Sequence, residues 1–228
     1  MSNEKNLCEE EVVIPAASPF GPASPIISIK NHVYFYDNIE TTVTRALFST
    51  MHEIAMNIID TAVENNFPII PIHLHINSTG GSVPDALAVV QGIEDIQEGR
   101  IHQVGGIPIK IPVYTYIEGE ADSAASLIAC VGTKRFCSKH ALSLIHDVRQ
   151  IGGGVQKVDD IEIEAKNLQM FKDKFYDIYL SHSKLTKEEL QKICEKEDYS
   201  TPQQLMEYGL IDCIISIIPH NNNYILLS

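Results

Sequence analysis

Between residues 27 and 217 the apolar residues of this chain change period again and again, and that alternation limits the fold more than any single motif. "IISIKNHVYFYD" is rich in β-branched and aromatic residues. "NIETTVTRALFSTMHEIAMNIIDTAVENN" then spaces Ala46, Leu47, Met51, Ile54, Ile58 and Ala62 at three- and four-residue intervals, which predicts an amphipathic helix. "PIIPIHLHINSTGGSV" reads as a strand until Asn77, and "PDALAVVQGIEDI" resumes helical spacing. A strand over "KIPVYTYIEG" (residues 110–119) and a helix over "SAASLIACVG" come next. Strands over "KRFCS" and "ALSLIHDV" and a long helix from about Lys157 to His182 complete the series. Strand and helix in alternation predict an α/β fold, a mostly parallel sheet covered by helices. With 44% hydrophobic residues in 228, one packed domain is expected.

That domain is expected to span residues 27–219. Residues 1–26 contain "PAASPFGPASP", which has no apolar periodicity and reads as a flexible arm, and residues 220–228 read as a tail. Two glycine-rich segments interrupt the pattern, "EGRIHQVGGIPIK" and "RQIGGGVQK". Their bare backbone amides suit either a hinge or the binding of a peptide backbone.

The 17 Lys and Arg against 30 Asp and Glu give a formal net charge of -13, which would repel a phosphate backbone and excludes nucleic acid as a partner. No apolar run approaches the roughly 20 residues needed to span a bilayer, and "MSNEKNLCEEEVV" lacks a signal-peptide core. A soluble cytoplasmic protein without membrane contact is expected. Cys8, Cys130, Cys137, Cys194 and Cys213 are scattered without metal or redox spacing and read as free thiols, with Cys130 and Cys213 as core residues. "HLH" puts His73 and His75 on one strand face, but no acidic or cysteine ligand adjoins them and no metal site is expected.

Three segments carry candidate chemistry. In "EGEADSAASLIACVG", Ser123 stands where a strand gives way to a helix whose first amides are unpaired. It is either a helix cap or a nucleophile, and a nucleophile needs a base and an oxyanion pocket. His146 in "SLIHDV" ends a strand, a position that faces the crevice beyond a sheet edge and also suits a structural histidine. Gly80 and Gly81 in "NSTGGSV" leave a strand with no side chain to block a carbonyl oxygen, although a plain turn explains the pair as well. An acid is available among the carboxylates of "CEKEDYSTPQQ".

Taken together, "INSTGGSV", "GEADSAAS", "KRFCSKHALSLIH" and "STPQQLMEYGLID" resemble, in order and near spacing, the motifs of the Clp protease proteolytic subunits over about residues 33–217. That family comprises serine peptidases of the Clp/crotonase fold, built from repeated β-β-α units with a long protruding handle helix. The resemblance implies Ser123 as nucleophile, His146 as general base, and Gly81 and Ala124 as donors of the oxyanion amides. Ser126 falls at a packing position. The register of "EYGLID" puts Glu197 at the acid position, and a one-residue gap would put Asp198 there. Asp122 stands where the family has alanine.

The resemblance further implies hydrolysis of unfolded polypeptide inside homo-oligomeric stacked rings, with no metal or organic cofactor. The peptide would extend beside Gly152, Gly153 and Gly154, pairing as an added strand. The helix "DDIEIEAKNLQMFKDKFYDIYLSHSKLTKEEL" resembles the handle through which two rings pack, with Ile163, Leu168, Met170, Phe171, Phe175, Ile178 and Tyr179 as its apolar stripe. An AAA+ ATPase is a possible partner. The amino-terminal arm does not resemble the family's gating segment, and "EGRIHQVGGIPIK" is longer than its counterpart. Three other readings compete: a non-catalytic ring subunit, a specialised peptidase such as a capsid-maturation enzyme, and a crotonase-type acyl-CoA enzyme. The paired Ser123 and His146 speak against the first and the last.

Overall fold

The computed structural model describes residues 25–101, 103–149 and 157–216. Its main sheet has six strands in the order β1 (Ile27–Ile29), β2 (His32–Phe35), β3 (Ile72–Ser78), β6 (Val113–Ala121), β7 (Lys134–Ser138) and β10 (Cys213–Ile215). All neighbours are parallel except β1 and β2, which form a hairpin around Lys30 and Asn31. The predicted α/β class is what the chain adopts.

Helices α1 (Thr41–Asn65), α2 (Val83–Glu98) and α3 (Ala124–Cys130) cover one face. Val33, Phe35, Leu74, Ile76, Val113 and Ile117 point into that core and meet Leu47, Met51, Ile54 and Ile58 of α1. The helical period over α1 therefore located the buried stripe, and only Ala46 of the expected set stays partly exposed.

Alternation sends the other half of each strand to the opposite face. Register aligns His32 with His73 and Tyr34 with His75, then His73 with Tyr114 and His75 with Tyr116. His73 and His75 share a face as expected, but they stack with their neighbours. The rings of His32 and His73 lie 4.3 Å apart, and His75 stacks on Tyr116 at 4.8 Å. His75 Nδ1 meets a Glu118 carboxylate oxygen at 2.6 Å. Among the described residues no group of three or more His, Cys, Asp or Glu has the arrangement of a metal site.

Burial pushes the Glu118 carboxyl up to about 7 and holds His73 down to about 4. The two act with opposite sign. The stabilising term from Glu118 is fully present below its unfolded value and is lost as pH rises toward 7, whereas that from His73 is lost as pH falls from 6.5 toward 4. Glu118→Gln keeps a donor for His75 and removes the first term. Relative to the wild type, this variant should therefore be more stable at pH 8 than at pH 4.5, by roughly 2–3 kcal/mol. Thermal melts of both chains across that range check it, and equal pH dependence would refute the assignment.

Two segments differ from the sequence expectation. "EGRIHQVGGIPIK" forms a hairpin, β4 (Gln103–Val104) and β5 (Ile107–Pro108), whose turn residues Gly105 and Gly106 have φ 58 and 82. Positive φ at both central positions is the requirement of a tight hairpin turn, so this glycine pair is neither a loose hinge nor a bare binding edge. "ALSLIHDV" holds strand only over β8 (Ser143–Leu144), which leaves the main sheet and pairs with β9 (Tyr199–Ser200). Cys130 is buried as expected, while Cys213 is half-exposed.

The long helix α4 (Val158–Ser181) buries only Phe175, Tyr176 and Tyr179. Of the expected stripe, Ile163 and Met170 are exposed, so the amino-terminal part of α4 stands away from the core as a handle. Helices α5 (Lys187–Lys196) and α6 (Pro202–Tyr208) follow, each opened by a capping box, Thr186 with Glu189 and Thr201 with Gln204. No helix among the described residues is long and apolar enough to cross a membrane.

Candidate active site

The carboxyl end of β6 sets up the turn that carries Ser123. Ile76 pairs with Ile117 and Ser78 with Ala121, so β6 spends extra residues over Glu118–Glu120 and bulges away from β3. Asn77 Oδ1 accepts the Glu120 N–H at 3.0 Å and fixes the bulge. Only Asp122 and Ser123 then separate the strand from α3. Ser123 takes φ 52 and ψ -126, a conformation that costs an L-residue on the order of 1–3 kcal/mol. The surroundings enforce it: all seven residues of α3 are buried, Ser123 N donates to Leu144 O at 2.7 Å, and Asp122 N donates to Ser78 O at 2.9 Å. The Ser123 hydroxyl makes no capping bond to α3, so the helix-cap alternative is not the role of this side chain. It is left half-exposed at the tip of a strained elbow.

The loop after β3 lies against that elbow. A β-carbon on Gly80 would sit 2.6 Å from Asp122 O, 2.9 Å from Ser123 Cβ and 3.1 Å from Ala124 N, and Gly80 has φ 93. Glycine is required there by contact and by conformation together. The N–H groups of Gly81 and Ala124 have no acceptor among the described residues; Ala124 follows Ser123, and Gly81 follows Gly80, the residue packed against the elbow. Two free amides beside a hydroxyl are the components of an oxyanion pocket.

His146 follows β8, and β8 is tied to the elbow through Leu144, whose carbonyl accepts from Ser123 N. The half-buried imidazole directs Nδ1 to the Asp147 carbonyl at 2.7 Å. A carbonyl only accepts, so Nδ1 carries a proton and Nε2 is the nitrogen left to act as a base. Asp147 is itself anchored to α4, with its carboxylate accepting from Lys172 Nζ at 2.7 Å and Tyr176 Oη at 3.0 Å. The sequence reading passed over Asp147, Lys172 and Tyr176, and no local signal marks them.

The acid candidates separate. Glu197 closes α5 in a left-handed conformation, φ 53, and pairs with Arg149. The Arg149 hydrogen bond holds its carboxyl below the usual range, and the charge of His146 pulls the same way. Asp198 turns instead toward a small pocket lined by Lys192, Tyr199 and Tyr208. No hydrogen bond joins His146 to either acid or to Ser123 among the described residues.

Asp122 is 4% exposed. Its Oδ1 accepts from Leu144 N at 2.8 Å, and its Oδ2 accepts from Tyr199 Oη at 3.2 Å. Burial raises its carboxyl above the ordinary range, opposed by the bonds from Leu144 and Tyr199 and by the charge of His146. Glu120, two residues back in the chain, is raised by burial and by the Asp122 carboxylate. Ser126 is spoken for: its hydroxyl donates to Ser123 O at 2.5 Å and contacts the Tyr179 hydroxyl of α4. Gly152, Gly153 and Gly154, expected to hold substrate, lie outside the described residues.

A protein-family model described as Clp protease matches residues 29–217. An ATP-dependent Clp protease proteolytic subunit 1 of Rhodopirellula baltica is 32% identical over 170 residues, 74% of this chain and 67% of that protein. An ATP-dependent Clp protease proteolytic subunit of Bdellovibrio bacteriovorus is 35% identical over 156 residues, 67% of this chain and 68% of the relative.

Proposed function

This chain belongs to the Clp protease family of serine endopeptidases, and from that premise we propose that Ser123 is its nucleophile, His146 its general base and Glu197 the acid whose charge favours the imidazolium that forms. The Ser123 oxygen attacks the scissile carbonyl carbon while His146 Nε2 takes the hydroxyl proton. The amides of Gly81 and Ala124 hold the resulting oxyanion. The C–N bond breaks as His146 returns the proton to the leaving amine, and water activated by the same imidazole then cleaves the acyl ester.

The observation that carries this reading is the elbow: a half-exposed serine in a strained conformation, not used as a cap, facing a glycine loop. Strain held at one hydroxyl marks a functional position better than a structural one. Glu197 is favoured over Asp198 by the register of "EYGLID", and the charge of His146 helps hold its carboxyl low.

The substrate is unfolded polypeptide, cut inside a chamber of stacked rings in the cytoplasm. Val158, Ile161, Ile163 and Met170, exposed on the handle, supply the apolar surface for ring packing. The Gly152–Gly154 run pairs with the extended peptide. An AAA+ ATPase partner supplies any ATP use, since the sequence lacks the GxxxxGK[ST] phosphate loop.

Fluorophosphonate labelling with the adduct mapped by mass tests the core of the reading. A single adduct on Ser123 is expected, and an unlabelled assembled chain would sink it. Glu197→Gln should lower hydrolysis by up to about 10⁴-fold while Asp198→Asn stays near wild type. The reverse pattern would make Asp198 the acid. A native mass of one or two subunits would count against the rings.

A further inference from the structure

We propose that Asp122 is a positioning residue that, with Tyr199, clamps together the three chain segments bearing the reacting groups. This assignment rests on Ser123 and His146 being the reacting pair. Asp122 and Ser123 hold both backbone polar groups of one residue, Leu144. The Asp122 carboxylate accepts the Leu144 N–H, and the Ser123 N–H donates to the Leu144 carbonyl. His146 follows two residues later, so the elbow fixes the start of its loop. The second carboxylate oxygen accepts the Tyr199 hydroxyl, and Tyr199 is the register partner of Leu144 and lies two residues beyond Glu197. The β8–β9 ribbon is short, two residues a side, and on the β8 side it is bonded to the end of β6 through Leu142 and Ser143. On the β9 side the hydroxyl–carboxylate bond of Tyr199 to Asp122 ties the ribbon to the elbow.

Keeping a carboxylate buried is unfavourable unless donors meet it, and besides Glu120 the donors to Asp122 come from the base and acid segments, Leu144 and Tyr199. The acidic residue beside the nucleophile thus has a defined task. It converts the fold of β8 and β9 into the placement of His146 and Glu197 relative to Ser123.

The test measures fluorophosphonate labelling of the full assembled chain, separating the fraction of sites that react from the rate per reacting site, together with kcat and KM on a peptide. Asp122→Ala is expected to label to full amplitude with the rate and kcat reduced about 10²-fold and KM within twofold. Tyr199→Phe should slow labelling about fivefold. Asp122→Asn, which keeps an acceptor for Leu144 N, should recover to within about fivefold of wild type. A loss of amplitude with an unchanged rate per site would mean a merely structural role and overturn the proposal. Wild-type rates in Asp122→Ala would do the same. Should Asp122→Ala fail to fold, an unchanged rate in Tyr199→Phe overturns it. An unlabelled wild type removes the peptidase assignment itself, a different result from labelled wild type with indifferent variants.

Discussion

Replacing Ser123 with glycine is expected to abolish peptide hydrolysis and leave a folded chain more stable than the wild type. Activity falls by at least about 10⁴-fold because no hydroxyl is left to form the acyl-enzyme. Stability moves the other way because φ 52 and ψ -126 are open to glycine and strained for serine. Relief of on the order of 1–3 kcal/mol is offset by about 0.5–1 kcal/mol from the freer unfolded glycine. A net gain of about 1 kcal/mol corresponds to about 2–4 °C in melting temperature for a chain of this size. Ser123→Ala is the control, since it also loses the hydroxyl but keeps a β-carbon at the strained position. It should be equally inactive and no more stable than wild type. Identical melting of the two variants would show that the elbow stores no strain at Ser123.

What the sequence made legible follows the range of the interactions involved. Helices α1 and α2 could be located because their burial repeats every three or four residues, and Leu47, Met51, Ile54 and Ile58 are where that period puts them. The glycine loop and the elbow were legible as breaks between a strand and a helix. Pairing across long separations was not. Asp122 takes its donors from residues 22 and 77 positions away, and nothing around it in the chain announces Leu144 or Tyr199. Asp147 is held from α4, 25 and 29 residues on. The strand expected over "ALSLIHDV" had the right residue types. Only the loss of a sheet neighbour after Leu144 shortens it, and that is a tertiary fact. The Gly105–Gly106 hairpin carried a readable turn signal, which its length as a connection obscured. In the same way the stack of His32, His73 and His75 depends on register between strands that lie some forty residues apart.

Gly80→Ala should be the most damaging single-methyl change near the site. The new β-carbon would meet Asp122 O at 2.6 Å, Ser123 Cβ at 2.9 Å and Ala124 N at 3.1 Å, and two of these are backbone atoms that cannot swing aside. Gly80 also holds φ 93, which alanine resists. Collision and strain together should cost about 2–4 kcal/mol of stability. The larger effect is on rate: whichever backbone yields, the Gly81 amide and the Ser123 hydroxyl move apart, and a displacement near 1 Å costs about 10²-fold in reactivity. Gly105→Ala separates the two causes, because Gly105 has φ 58 but an added β-carbon meets nothing within 4 Å. It should lose about 1 kcal/mol of stability through strain and no activity. Melting and fluorophosphonate rates on the two variants decide the matter. Undiminished labelling of Gly80→Ala would mean that the loop after β3 does not form the wall against which Ser123 reacts.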